Sequence, residues 1–181
     1  MTLDPTAPSP PGAPSAPPFA SPSPAPAAAA AVAPHPLVAQ LQTRHGFAAP
    51  TAAALDDFLD APGHALLVFT EDPIRFKETL DLAVIAPEIL RAFPGRLRAA
   101  VLFPEVARAV HARFGFRRWP ALVVLRDGHY VGTIDGLRNW DEYLEEVAAL
   151  LAAEPVRPPS IGIAVTAAGA APPASSNSCG A

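Results

Sequence analysis

Prolines constrain this chain more than any other feature, and they are concentrated at its beginning. The chain has 24 prolines in 181 residues, and twelve of them lie in the first 36 residues, where Asp4 carries the only charge. Proline lacks a backbone N–H and fixes φ, so repeated prolines prevent both helices and sheet ladders. We therefore expect residues 1–36 to be a disordered Pro/Ala-rich tail, with recognition as a polyproline II helix as the alternative.

The middle of the chain has the composition of a folded domain. Residues 37–154 hold 28 of the 30 charged side chains, and these 118 residues are enough to enclose a hydrophobic core. Residues 155–181 are predicted to form a flexible C-terminal tail, in which residues 160–165 can dock as an extended piece. The sequence thus predicts one domain between two tails.

Composition excludes several classes of protein. A single cysteine, Cys179, excludes a disulfide scaffold and a thiolate metal cluster. A net charge of −4 disfavours nucleic-acid binding, and the eight arginines between residues 91 and 126 suit a solvated face or an acidic protein surface better than RNA. Since no apolar run is long enough to span a membrane and the N-terminus lacks a basic start, we expect a cytoplasmic location.

Periodicity and turn signals predict alternating strands and helices within the domain. Helices are predicted at 37–44, 51–60, 78–93, from 104 to a stop at 115, and from 140 to 151, with strands at 64–70, 97–103, 121–126 and 129–134. This order predicts an α/β fold with a central mixed sheet flanked by helices, ending in a β-hairpin and a helix.

Local signals set the ends of several of these elements. Thr51 is expected to cap the second helix, and Asn139 with Glu142 forms a capping box for the last helix. The pair Asp127-Gly128 predicts a two-residue hairpin turn. The apolar face of the last helix is predicted from Leu144, Val147, Ala148 and Leu151.

The order of elements resembles the thioredoxin fold over about residues 50–152. Trp119-Pro120 stands directly before the hairpin, where that family has an X-Pro bond that is usually cis and lies beside the active-site loop. Residues 84–90 resemble the family's second helix, including its internal proline, Pro87. The resemblance implies a thioredoxin-like domain with its functional loop after the first central strand.

The redox pair of thioredoxins is missing from this domain. Counting back from Pro87, the positions of the two family cysteines are occupied by Thr79 and Leu82. Because dithiol exchange needs an attacking thiolate and a second thiol to resolve the intermediate, the domain cannot perform it alone. A thiol oxidoreductase that uses Cys179 is the remaining enzymatic alternative.

The chain also resembles the HyaE/HoxO/HupG hydrogenase-expression proteins, which are thioredoxin-like accessory factors without the redox pair. The stretches that carry this resemblance are residues 69–73, 84–90 and 114–122. The resemblance implies a cytoplasmic chaperone that binds the precursor of the [NiFe]-hydrogenase small subunit at or near its twin-arginine signal peptide. Other hydrogenase accessory proteins are further partners that it allows.

The side chains within the domain argue against catalysis. Residues 37–154 contain no serine and no cysteine, and their single lysine is Lys77. Covalent catalysis needs a nucleophile held beside a base, and the histidines are scattered singly, without the spacing of metal ligands. We therefore predict a protein that is not an enzyme and has no cofactor and no metal.

The charge pattern suggests where a partner binds. Acids prevail in residues 56–88 and 127–154, whereas arginines prevail in residues 91–126. In a thioredoxin-like fold, the loop after the first central strand, the start of the next helix and the X-Pro turn lie at one edge, and we predict that this edge receives a cationic peptide. The predicted partner-binding residues are Glu71, Asp72, Phe76, Glu78, Asp81, Trp119 and Pro120.

Three alternatives remain open for these residues. The acids can be a solvated helix face that keeps the protein soluble. Trp119 can belong to the core. The domain can also be a generic thioredoxin-like interaction module unrelated to hydrogenase.

Overall fold

The structure, a computed structural model, describes residues 33–159. Within this range the chain forms five helices, a 3₁₀ turn and four strands. The elements are α1 Pro36–Thr43, α2 Leu55–Leu59, β1 His64–Phe69, α3 Glu78–Ala92, β2 Leu97–Leu102, α4 Pro104–Val110, the 3₁₀ turn His111–Arg113, β3 Ala121–Arg126, β4 His129–Asp135 and α5 Trp140–Ala152. Most of the two predicted tails, residues 1–32 and 160–181, lies outside the described residues, and so do the extended piece predicted at 160–165 and Cys179.

The four strands form one mixed sheet in the order β2-β1-β3-β4. β1 pairs in parallel with β2, while β3 is antiparallel to both β1 and β4. Parallel neighbours joined through a helix and an antiparallel pair joined by a hairpin are what the order of elements predicted. The predicted fold class, a mixed α/β sheet flanked by helices, is confirmed.

The tight turn between β3 and β4 explains their register. Asp127 and Gly128 both have positive φ, 51° and 77°, as the two central residues of a type I′ turn require. The Asp127 carboxylate also accepts a hydrogen bond from the Gly63 N–H at 2.7 Å, which ties the turn to the start of β1.

Alternation along β1 divides the core into two clusters. Leu66 and Val68 point to the face covered by α1, α3 and α5, whereas Leu67 and Phe69 point to the face covered by α2 and α4. All four side chains have no exposed surface, as expected for a central strand buried on both faces.

The helix predicted at 51–60 is shorter than expected. α2 begins at Leu55, and the Thr51 hydroxyl instead accepts a hydrogen bond from the Ala54 N–H at 3.2 Å in the turn that precedes it. The prediction that Thr51 caps this helix is therefore wrong, because a Thr side chain bonds equally well to a turn that does not continue as a helix.

Both outer strands of the sheet are partly covered by short pieces of chain. At β2, the Ala48 N–H donates to the Ala99 carbonyl at 2.9 Å and the Ala48 carbonyl accepts from the Val101 N–H at 2.8 Å. At β4, the Val156 N–H donates to the Tyr130 carbonyl at 2.8 Å. We call residues 155–159 the strap.

The strap is bonded to β4 through Val156, although four of its five residues are exposed. An open cavity of about 450 Å³ lies beside it, lined by strap residues and by side chains that include Leu59, Phe114 and Tyr130.

None of the helices found between residues 33 and 159 is long and apolar enough to cross a lipid bilayer.

Candidate functional site

The strand register places the ends of β1, β2 and β4 and the start of β3 at one edge of the sheet. Phe69, the last residue of β1, pairs with Leu102 at the end of β2 and with Ala121 at the start of β3, and Ala121 pairs with Asp135 at the end of β4. The loop after β1 and the turn before β3 must therefore leave the sheet at the same edge. We define the rim as loop residues 71–77, the first turn of α3 at residues 78–81, and Trp119-Pro120.

The turn before β3 is built around a cis peptide bond between Trp119 and Pro120. Pro120 is buried, and its carbonyl accepts a hydrogen bond from the Gly136 N–H at 2.9 Å. This conformation is what the thioredoxin resemblance implied for the X-Pro turn. The turn therefore holds Trp119 next to the start of β3.

Trp119 belongs partly to the core and partly to the surface. Its ring is half-buried and packs edge-on against Phe116, with ring centroids 5.0 Å apart, and against Phe69 at 6.4 Å. It also contacts the ring of His111 at 5.7 Å. A half-exposed aromatic ring on a rigid aromatic base can contact a ligand without losing much conformational freedom.

Glu71 is buried, unlike the surface carboxylate that the sequence suggested. Its side chain is 7% exposed and forms a bidentate ion pair with Arg108, in which Arg108 Nε donates to Oε2 at 2.7 Å and Nη2 donates to Oε1. Oε1 also accepts from the Asp72 N–H at 2.8 Å. With both oxygens occupied, Glu71 fixes the loop to α4 and presents little charge to a ligand.

The environment of Glu71 determines its protonation. Burial alone raises the pKa of Glu71, but the hydrogen bonds from Arg108 and from the Asp72 N–H outweigh burial, so the pKa lies below its ordinary value of 4.5. The carboxylate is therefore charged at neutral pH.

The other acidic residues of the rim are more accessible. Asp72 is half-buried, and its Oδ1 accepts a hydrogen bond from the Ile74 N–H at 3.0 Å. Glu78 and Asp81 are exposed in the first turn of α3, where the helix dipole favours negative charge. Since Arg75 and Lys77 are exposed between them, the rim carries alternating charges rather than a uniform acidic field.

Two apolar side chains lie on the loop of the rim. Phe76 is half-buried, with the Arg75 guanidinium carbon 5.9 Å from its ring centroid. Within residues 33–159, the rings that pack against Trp119 are those of Phe69, His111 and Phe116, and Phe76 is not among them. Ile74 is 87% exposed and was missed, although an isoleucine inside a polar loop is itself the signal.

The two positions that hold cysteines in thioredoxins are buried here. Thr79 has no exposed surface and Leu82 has 1%. The Thr79 hydroxyl accepts a hydrogen bond from the Glu71 N–H at 3.4 Å. The start of α3 therefore supports the loop of the rim through a hydroxyl group. No group of three or more His, Cys, Asp or Glu residues in the described part of the chain is arranged to hold a metal ion.

Comparison with known proteins identifies the family of this chain. The family model for hydrogenase-1 expression protein HyaE matches residues 37–143, which is more than half of the chain. The chain belongs to the HyaE family. The match includes every residue of the rim of this HyaE-family protein and ends before the strap.

Two curated relatives of this HyaE-family protein are hydrogenase expression/formation proteins. HoxO of Cupriavidus necator is 42% identical over 75% of this chain and 85% of its own length. HupG of Bradyrhizobium diazoefficiens is 38% identical over 68% of this chain and 85% of its own length. A crystal structure assigned to hydrogenase expression/formation protein hupG of Rhodopseudomonas palustris is 39% identical, covers 58% of this chain and 95% of that one, and has a TM-score of 0.42.

Proposed function

We propose that this protein is a non-catalytic chaperone of [NiFe]-hydrogenase maturation. It binds the precursor of the small subunit in the cytoplasm, at or near its twin-arginine signal peptide, before export. The observation that carries the proposal is the HyaE-family match, which spans the whole rim. Membership of the family supports a role in hydrogenase maturation, and the chemistry of the rim supports a peptide as the ligand.

Charge supports recognition of a cationic segment by the rim. Asp72, Glu78 and Asp81 leave carboxylate oxygens accessible, and paired arginines of a peptide can approach them. Exposed ion pairs contribute only about 0–1 kcal/mol each. These carboxylates therefore mainly raise the encounter rate and orient the peptide, while Arg75 and Lys77 restrict where its cationic residues can lie.

Apolar contact supplies the affinity in this proposal. Ile74 and the exposed part of Trp119 offer surface that a hydrophobic segment can cover, at about 25 cal/mol per Å². Glu71 and Arg108 have a positioning role, because their ion pair holds the loop that carries Ile74. A peptide with arginines followed by apolar residues matches this arrangement.

Side chains of the domain support a function without catalysis. The positions of the redox pair hold buried Thr79 and Leu82, and residues 37–154 contain no cysteine. Insulin reduction by the wild type and by Cys179→Ala tests the enzymatic alternative. Equal, background-level rates are expected, whereas activity that disappears in Cys179→Ala would replace the proposal with an oxidoreductase.

A binding experiment tests the rim directly. The full chain is titrated with a synthetic twin-arginine signal peptide of the [NiFe]-hydrogenase small subunit. We expect Asp72→Lys, Glu78→Lys and Asp81→Lys together to weaken binding about tenfold, which corresponds to about 1.4 kcal/mol, and to remove most of its salt dependence.

A matched variant controls for net charge. Asp57→Lys, Asp60→Lys and Glu145→Lys change the same number of exposed acids outside the rim and should leave the affinity nearly unchanged. Equal weakening by both triple variants would show that only net charge matters, and unchanged affinity of the rim variant would exclude this binding site.

A further inference from the structure

The arginines of residues 91–126 differ in what they bind. Those that pair with a carboxylate are Arg91, Arg108, Arg113 and Arg126. Arg98 donates instead to two backbone carbonyl groups. Within residues 33–159, no carboxylate lies within 4.0 Å of the side chains of Arg96, Arg117 or Arg118. Arg117 and Arg118 are consecutive and exposed, so they form a pair of positive charges that this part of the chain does not neutralise.

The side chain of Arg118 has a defined place beside the end of β4. Its Cδ lies 4.0 Å from the position that a Cβ at Gly136 would take, and Arg138 Nη1 lies 3.9 Å from the same point. Arg138 has its own acceptors, because its Nε donates to Glu146 at 3.0 Å and its Nη1 donates to the Asp135 carbonyl at 2.9 Å. Two arginine side chains therefore meet at Gly136, and only Arg138 has a carboxylate partner in the described residues.

Trp119 adds an aromatic ring directly after these two arginines, and we call residues 117–119 the basic turn. The ring is half-buried and packs against Phe116 and His111, with centroids 5.0 and 5.7 Å away. The hydrogen bond from the Gly136 N–H to the Pro120 carbonyl ties the turn to the end of β4. The basic turn thus presents two exposed guanidinium groups and part of an aromatic ring from a fixed backbone.

The chemistry of the basic turn selects a ligand with carboxylates next to an apolar side chain. A guanidinium group binds a carboxylate through two parallel hydrogen bonds, and the exposed part of an indole ring packs well against another aromatic ring. The ligand must also be short. The neighbouring rim exposes Glu78 and Asp81 and the chain has a net charge of −4, so a long acidic tract or a polyphosphate chain would be repelled.

We propose that the basic turn is a docking surface for a short acidic segment of a protein partner. The carboxylates of that segment bind Arg117 and Arg118, and an adjacent aromatic side chain packs on Trp119. This ligand has the opposite charge to the signal peptide, so the proposal goes beyond the proposed function and does not depend on it. One consequence does rest on the proposed function: the two ligands should compete, because both contact Trp119.

Tryptophan fluorescence of the full chain tests the proposal. Trp140→Phe leaves Trp119 as the only tryptophan, and this protein is titrated with the synthetic peptide acetyl-Gly-Glu-Phe-Asp-Gly-amide. We expect a saturable change in Trp119 emission. The double variant Arg117→Gln, Arg118→Gln should weaken binding about tenfold, and each single variant about threefold, because each removes a charge-assisted contact.

Two controls separate recognition from net charge. Arg44→Gln with Arg96→Gln removes two other exposed arginines and should leave the affinity nearly unchanged. The peptide with Gln and Asn in place of its acids should bind the unsubstituted basic turn at least about tenfold more weakly. The single variants keep the test valid even where the double variant is unstable.

Other outcomes overturn the proposal. Equal weakening by the two double variants would mean that only net charge matters, and equal binding of the amide peptide would mean that carboxylates are not recognised. Tighter binding of a single-stranded oligothymidylate of the same charge would assign the basic turn to nucleic acid. Because this probe is acidic and the signal peptide is cationic, failure of one titration is distinguishable from failure of the other.

Discussion

At the scale of single residues, the ion pair of Glu71 and Arg108 has unequal partners. The Glu71 side chain is 7% exposed, whereas that of Arg108 is 55% exposed. The Arg108 guanidinium is therefore already largely hydrated, whereas the Glu71 carboxylate depends on its protein partners. Removing either partner tests how firmly the loop of the rim is held.

Loss of Arg108 should be costly because it leaves a buried carboxylate with a single backbone donor. Arg108→Gln is expected to lower the free energy of unfolding by about 2 kcal/mol, as measured by chemical denaturation. Arg91→Gln removes the exposed pair with Glu88, in which both side chains are about half exposed, and should cost about 0.5 kcal/mol or less. Equal losses of unfolding free energy in the two variants would mean that the Glu71 carboxylate is effectively solvated.

The pH dependence of stability should carry the signature of Glu71. Since its pKa is lowered by folding, the folded state binds this proton more weakly than the unfolded state does. The stabilisation is complete above the ordinary value of 4.5 and is lost as the pH falls through the lower pKa of the folded state. The stability difference between the wild type and Glu71→Gln should be constant near neutral pH and shrink below about 4.5; a constant difference down to acid unfolding would contradict this.

The sequence could show that Glu71 follows a buried strand but not which cation it meets. Eight arginines lie between residues 91 and 126, and only the packing of α4 against the sheet selects Arg108. Trp119 is a similar case. Its place before the hairpin was predictable, whereas its division between core and surface depends on rings at Phe69, His111 and Phe116 that are distant in sequence.

At the scale of elements, glycines in the left-handed region offer a matched test of the strap. Gly115 and Gly95 have nearly equal φ values, +69° and +71°, but only a Cβ at Gly115 would meet the strap, since nothing lies within 4 Å of one at Gly95. Both Gly→Ala substitutions should cost about 1–2 kcal/mol from backbone strain. Only Gly115→Ala should also release the strap.

Hydrogen exchange at the Val156 amide measures that release. In the wild type this N–H is bonded to Tyr130, and we expect its exchange to be at least about tenfold faster in Gly115→Ala, because local opening of the strap becomes easier. Gly95→Ala should leave the Val156 amide unchanged. Identical exchange in the two variants would mean that the strap does not depend on its contact with Gly115.

The sequence predicted which segments form helices and strands better than it predicted which face of a helix is buried. The capping box of α5 is present, with the Asn139 N–H donating to the Glu142 carboxylate at 2.9 Å. The predicted apolar face was partly wrong, because Ala148 is exposed and Tyr143 is 1% exposed. Tyrosine was overlooked as a core residue because its hydroxyl needs a partner, which the fold provides at the Gly136 carbonyl.

At the scale of the whole molecule, the fold places all parts of the rim at one edge of the sheet. Strand order and hairpin register bring together the loop after β1, the turn at Trp119 and the end of β4, and the strap arrives at the same place. The resemblance to the thioredoxin fold implied that the loop after β1 and the X-Pro turn lie at this edge. Nothing in the pattern indicated that residues 155–159 would lie along β4, because a run containing Pro155, Pro158 and Pro159 has the composition of a linker.

The coverage of both outer strands has a consequence for how copies of this protein behave when crowded. An edge strand with unpaired backbone N–H and C=O groups can pair with a strand of a neighbouring molecule, and repeated pairing leads to aggregation. Here Ala48 on one flank and Val156 on the other occupy some of those groups, and the prolines beside Val156 cannot extend the ladder. The sheet of this protein thus resists being lengthened by strands from neighbouring copies.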